Sequence, residues 1–134
     1  RAWFFFYGHG AHRDLHSFPT RRSSDRSGLV KNALDYLEDL SKDARPYLDG
    51  RAVGLIATAY GDQATMSTMQ TLRSIVHALR GWPTPMGATI RTYPGLFSPD
   101  GECLDDRARM QLDMVGQQVV QGATSLSAMA RPAA

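Results

Sequence analysis

A chain of 134 residues has room for one domain, and 43% apolar with 21% charged residues is ordinary globular usage, which excludes fibrous and wholly disordered classes. A single cysteine, Cys103, cannot form an intrachain disulfide. No Cys/His spacing suggests a metal centre, and no apolar run approaches the roughly 18 residues of a membrane span, so the chain reads as soluble and cytoplasmic.

The net charge of +2 is unevenly placed: residues 1–26 carry five Arg against two Asp, while the remainder carries ten basic and eleven acidic groups and gives no reason to expect nucleic acid. The Trp3 to Tyr7 cluster is too brief for a signal sequence. His16-Ser17-Phe18-Pro19-Thr20-Arg21-Arg22-Ser23-Ser24-Asp25 resembles one reading frame of a translated sequencing adapter, and regular patterning starts abruptly at Ser27. Residues 1–26 are therefore read as a non-native segment and set outside the fold. His9, His12 and His16 lack a second ligand set, so a metal tract is not assigned there.

From Ser27 onward the elements follow in regular order. Leu29, Val30, Ala33, Leu34, Leu37 and Leu40 recur at spacings of three and four, which predicts an amphipathic helix over 29–42. Pro46 and Asp49-Gly50 break it. Ala52-Val53-Gly54-Leu55-Ile56-Ala57 is apolar without alternation, the pattern of a strand covered on both faces. A polar loop, Thr58 to Gln63, leads into a helix over 64–80 with Met66, Met69, Leu72, Ile75, Val76 and Leu79 on its inner side, ended by Gly81-Trp82-Pro83. Met86 to Thr92 is a weaker strand, Ser98-Pro99-Asp100-Gly101 a turn, and Asp105 the N-cap of a last helix carrying Ala108, Leu112, Val115 and Val119. The tail 122–134 is small and polar and is expected to be flexible.

Alternating helices and buried strands predict an α/β fold with a doubly wound parallel sheet. Two strands and three helices cannot cover both faces and both edges of such a sheet. Residues 27–121 are accordingly expected to be the C-terminal half of a larger domain.

Ser27-Gly28-Leu29-Val30-Lys31-Asn32-Ala33-Leu34-Asp35-Tyr36-Leu37 resembles a segment of the NADPH-dependent FMN reductases, whose domain is flavodoxin-like. The likeness continues through Pro46-Tyr47-Leu48-Asp49-Gly50-Arg51-Ala52-Val53, the Leu72-Arg73 pair and Phe97-Ser98-Pro99-Asp100-Gly101-Glu102. It implies FMN and NADPH as cofactors and places Thr58, Ala59, Tyr60, Gly61, Asp62 and Gln63 in the family's second flavin loop. Ligands of open α/β sheets sit beyond the carboxyl ends of strands, where this loop lies. Gly61 lets backbone approach a flat ring, Tyr60 can stack on it, and Thr58 with backbone amides can bond its polar edge. Ala64 and Thr65 stand where the family has two further glycines, and no Gly-Ser-x-Arg phosphate turn is present; Arg21, Arg22, Ser23 and Ser24 are not assigned to it, because no strand is expected to precede them.

The resemblance implies hydride transfer from NADPH to FMN and on to flavin, a quinone or a similar acceptor, with no catalytic acid/base pair and no metal. The isolated fragment is expected to be inactive and to retain little FMN. The Met66, Met69, Met110 and Met114 spacing means core or a subunit contact, and family likeness suggests a homodimer seam along 29–42 and 64–80. Two other classes remain open at this point: a flavodoxin-like FMN-binding electron carrier, and a non-enzymatic α/β interaction module. A receiver-type module would need a phosphoacceptor Asp at a strand end, where this chain has Ala57-Thr58.

Overall fold

The computed structural model describes residues 3–7 and 28–130; the histidines and arginines of 8–27 lie outside them. In chain order the elements are β1 (Trp3–Tyr7), α1 (Gly28–Asp35) followed by a 3-10 helix (Tyr36–Lys42), β2 (Ala52–Ala59), α2 (Asp62–Ala78), β3 (Trp82–Pro83), β4 (Ala88–Arg91) and α3 (Asp106–Met129). All strand pairings are parallel, with β1 on one side of β2 and both β3 and β4 on the other. This is the α/β architecture expected from the alternating pattern.

The sequence reading found two strands, and the sheet has more. Trp3–Tyr7 pairs with Val53–Ala57 as a parallel edge strand, a role that its five consecutive aromatic and apolar-leaning residues suit but that no flanking periodicity announced. The strand expected over Met86 to Thr92 is the C-terminal part of a broken one. Ala52 pairs with Trp82 and Ile56 with Ala88, so two extra residues are inserted between β3 and β4 and the ladder resumes in a shifted register.

β2 is the axis of the core. Val53, Leu55 and Ala57 face a cluster built with Leu37, Leu48, Met69, Leu72 and Val76, while Ile56 faces Ala88, Ile90, Leu96, Ala108, Val115 and Val119. Period-two alternation thus divides one continuous apolar strand between two helical layers, α2 below and α3 above.

Three expected helices differ in detail from what forms. The first is α-helical only to Asp35 and continues as a 3-10 turn, because Leu34, Leu37 and Leu40 are spaced by three, and three residues per turn stack them on one face against the core. In α2 the inner face is Thr65, Thr68, Met69, Leu72 and Val76, whereas Met66 is 55% exposed; Thr65 tolerates burial because its hydroxyl donates to the Asp62 carbonyl. The tail expected to be flexible from Gly122 is helical as far as Met129. Gly122 itself lies against β2, where an added Cβ would stand 3.0 Å from that of Ala52, and Ala123 and Leu126 are half-buried.

At the opposite end from the candidate site, Leu48 is fully buried and donates its N–H to the Leu79 carbonyl, while Gly81 fits beneath it. A Cβ at Gly81 would approach Val76 Cγ1 to 2.7 Å and Leu48 Cβ to 3.0 Å. Gly81→Ala should therefore overpack this end and cost about 1–3 kcal/mol, read as a lower urea midpoint with unchanged slope.

Candidate functional site

At the carboxyl end of the sheet β2 runs two residues further than expected. Thr58 and Ala59 belong to the strand, Tyr60 and Gly61 form the connection, and Asp62 and Gln63 open α2. The six-residue loop of the sequence reading is therefore a two-residue link between a buried strand and a helix. Tyr60 is 55% exposed, Thr58 half-buried and Ala59 buried. Gly61 has extended backbone (φ −124, ψ 143), and a Cβ there would meet nothing within 4 Å.

No side chain caps α2 at Gly61. The first N–H groups of a helix have no intrahelical acceptor, and they carry the positive end of its dipole. The start of α2 thus combines bare backbone donors with open space over a glycine and an exposed aromatic ring beside it.

Next to this link lies a cleft of about 550 Å³, walled by the first turn of α2 (Asp62, Thr65, Met66), by β4 and by the first turns of α3. Of the six residues expected to contact cofactor, Asp62 alone lines it. The hairpin that closes its far lip is built as the sequence suggested. Leu96 accepts from Leu104 N–H, Phe97 bridges Cys103, and the turn at Ser98 to Gly101 is closed by the Gly101 N–H on the Ser98 carbonyl, with Gly101 at φ 88 where a side chain would be strained.

Asp105 anchors that lip. One carboxylate oxygen accepts the Ala108 N–H at 2.7 Å, the N-cap expected from sequence, and the other accepts the Tyr93 hydroxyl at 2.9 Å. Both bonds favour the ionised form, the Ala108 N–H most, and hold the Asp105 carboxyl below its ordinary range. The same bond, with the carboxylate's charge, holds the Tyr93 phenol above its ordinary value.

The sequence reading missed the polar groups that close the β3–β4 edge. Gln111 Oε1 accepts the Thr89 N–H at 2.9 Å and Gln118 Oε1 accepts the Met86 N–H at 2.7 Å. From the other layer Arg73 donates to the Thr84 and Pro85 carbonyls at 3.0 and 2.7 Å. The glutamines lie seven residues apart, two helical turns, and that spacing on the sheet-facing side of the last helix was the available signal.

A family model described as NADPH-dependent FMN reductase matches residues 23–93 of the 134. The chain belongs to the NADPH-dependent FMN reductase family. The match spans α1, β2, the Tyr60-Gly61 link, α2 and the broken strand, so the family's flavin-binding, NAD(P)H-dependent oxidoreductase character attaches to the part of the chain described above. Neither the curated proteins nor the solved structures yielded a match.

The fit of this family's cofactor can be judged from the donors present. The open space over Gly61, the uncapped start of α2 and the exposed Tyr60 ring suit the flat, acceptor-rich edge of an isoalloxazine. The sequence holds no Gly-Ser-x-Arg turn for the phosphate. The residues fit the ring end of FMN.

Because the folded Asp105 carboxyl titrates below its unfolded counterpart, its stabilising contribution is complete above the unfolded value of about 3.9 and is lost as pH falls through the lower folded value. Asp105→Asn keeps an N-capping oxygen but removes the charge. Its thermal stability should fall less steeply than wild type between about pH 5 and pH 2, as melting curves across that range will show.

Proposed function

We propose that the chain supplies the ring-binding part of an NADPH-dependent FMN reductase, in which FMN accepts hydride from NADPH and passes the electrons on to flavin, a quinone or a similar acceptor. The observation that supports this reading is the uncapped, open start of α2 at the end of the deeply buried β2. Thr58, Ala59, Tyr60, Gly61, Asp62 and Gln63 form the contact set. Backbone N–H groups at Asp62 and Gln63 donate to the ring's polar edge, Gly61 admits the ring, and Tyr60 covers it. The protein's part is orientation and hydrogen bonding, with the redox chemistry belonging to the cofactor.

Residues 27–121 are proposed as the C-terminal part of that domain, with the adapter-like 16–25 foreign to it, Trp3–Tyr7 paired beside β2 and the phosphate turn contributed elsewhere in the parent protein; the chain alone then holds little FMN and is inactive. A cytoplasmic setting accords with one unpaired cysteine, half-buried, and with the finding that no helix among the described residues is long and apolar enough to cross a membrane.

Parent protein loaded with FMN and mixed anaerobically with NADPH should lose the flavin absorption band, and an unbleached flavin would leave an electron carrier. Gly61→Val adds a side chain where nothing protein-derived is met, so it should leave the melting temperature within error while weakening FMN binding by at least tenfold in a flavin-fluorescence titration, about 1.4 kcal/mol.

The proposed homodimer uses α1 with its 3-10 extension and α2. Its support here is Tyr36, 74% exposed on the outer side of that segment. Light scattering of the parent at micromolar concentration should give a dimer mass, and Tyr36→Glu should shift it toward monomer; a monomer in the unsubstituted protein rules the seam out.

A further inference from the structure

The cleft between the first turns of α2 and α3 carries two guanidinium groups that the protein itself does not use. Arg91 ends β4 and Arg107 lies in the first turn of α3; both are exposed and both line the cleft. Neither guanidinium makes a hydrogen bond or ion pair among the described residues, although Arg107 lies within electrostatic reach of Asp105. Arg45, Arg51, Arg73 and Arg109, by contrast, are each tied to backbone carbonyls.

The two carboxylates on the same walls are already compensated. Asp105 accepts from Ala108 N–H and from Tyr93, and Asp62 sits in the first turn of α2, where the helix dipole offsets its charge. Beyond the attraction of Arg107 to Asp105, the two guanidinium forks remain without hydrogen-bonding partners among the described residues. Met66, Tyr93 and Leu96 add an apolar and aromatic wall. A volume of about 550 Å³ falls within the range of small-molecule sites.

Position relates this cleft to the ring loop. Arg91 is in parallel register with Ala59, the residue before Tyr60, and neighbouring strands stand about 4.8 Å apart, so the cleft begins one strand spacing from the start of the loop. A nicotinamide nucleotide whose nicotinamide lies on a ring at Gly61 must rest its other end on neighbouring surface. In NADPH that end joins a planar base to a 2′-phosphate, a group for which planar guanidinium forks are suited.

We infer that this cleft takes the adenosine 2′-phosphate end of NADPH, with Arg91 and Arg107 holding the 2′-phosphate and the Met66, Tyr93 and Leu96 wall receiving the adenine. The identity of the nucleotide rests on the reductase reading. The cleft itself lies wholly within described residues of this chain and can be tested without flavin.

Calorimetric titration of the chain with adenosine 2′,5′-bisphosphate, with adenosine 5′-monophosphate as control, tests it. The bisphosphate should bind at least tenfold more tightly than the monophosphate. Arg91→Ala and Arg107→Ala should each remove most of that preference while leaving the melting temperature unchanged. In the FMN-loaded parent, the ratio of kcat/KM for NADPH to that for NADH should fall by a similar factor. Equal affinity for the two nucleotides, no binding to the unsubstituted chain, or binding indifferent to both arginines would overturn the inference. Failure of the reductase reading has a different signature: an unbleached flavin, with bisphosphate affinity still measurable on the chain.

Discussion

The backbone of a sheet edge must find hydrogen-bond partners, and here the edge formed by β3 and β4 finds them in side chains of both flanking helices. Gln111 and Gln118 reach down from α3 to take the N–H groups of Thr89 and Met86, and Arg73 reaches across from α2 to the carbonyls of Thr84 and Pro85. Each bond alone is worth on the order of 1 kcal/mol, but a buried polar group left unmatched costs more than the bond gains. Together they pin two helices to one strand from opposite faces. The positions of the helix N-termini follow from that pinning, and those N-termini bracket the cleft beside the Tyr60-Gly61 link.

The inserted residues between β3 and β4 are part of the same arrangement. Beyond Thr84 the chain leaves the ladder, and Gly87 passes so close to Met69 and Arg73 that an added Cβ would collide with the methionine side chain. When pairing resumes at Ala88 the strand has been re-phased by two residues against β2. A two-residue shift conserves the alternation of faces, so Ala88 and Ile90 remain in the α3-side core while the strand end advances to set Arg91 beside Ala59. The bulge therefore changes which residue ends the strand without disturbing the core.

Much of this was legible in the residues. The unbroken apolar run at Ala52 to Ala57 announced a strand buried on two faces, the leucine spacings announced the first helix, and Asp105 announced the last helix start. What escaped reading has physical causes. Strands of two and four residues suffice for a ladder when side chains complete the edge, so β3 and β4 leave only a faint pattern. Glutamine on a helix face looks like solvent-facing polarity, yet Gln111 is buried because a backbone N–H needs it. Thr65 displaced Met66 from the core because its hydroxyl is satisfied within its own turn, and the methionine so released became cleft wall. In the candidate site the loop's place was readable, but its length was not: Thr58 and Ala59 keep pairing with Ile90 and Arg91 because the ladder partner is there.

That shortening ties the Tyr60-Gly61 link closely to the wall of the cleft. With only Tyr60 and Gly61 between strand and helix, the link has little freedom of its own, and the first turn of α2 is tied to it by the Thr65 N–H on the Gly61 carbonyl and the Thr65 hydroxyl on the Asp62 carbonyl. Thr65 is buried and lines the cleft, while Tyr60 and Gly61 do not line it. One helical turn therefore stands as a partition between the Tyr60-Gly61 link and the cleft, held by the core beneath it rather than by a flexible loop. A rigid partition fixes the offset between the link and the cleft. A bound molecule that reaches across it must match that offset, and selectivity for such a molecule then resides in the geometry of the partition as much as in the charges of Arg91 and Arg107.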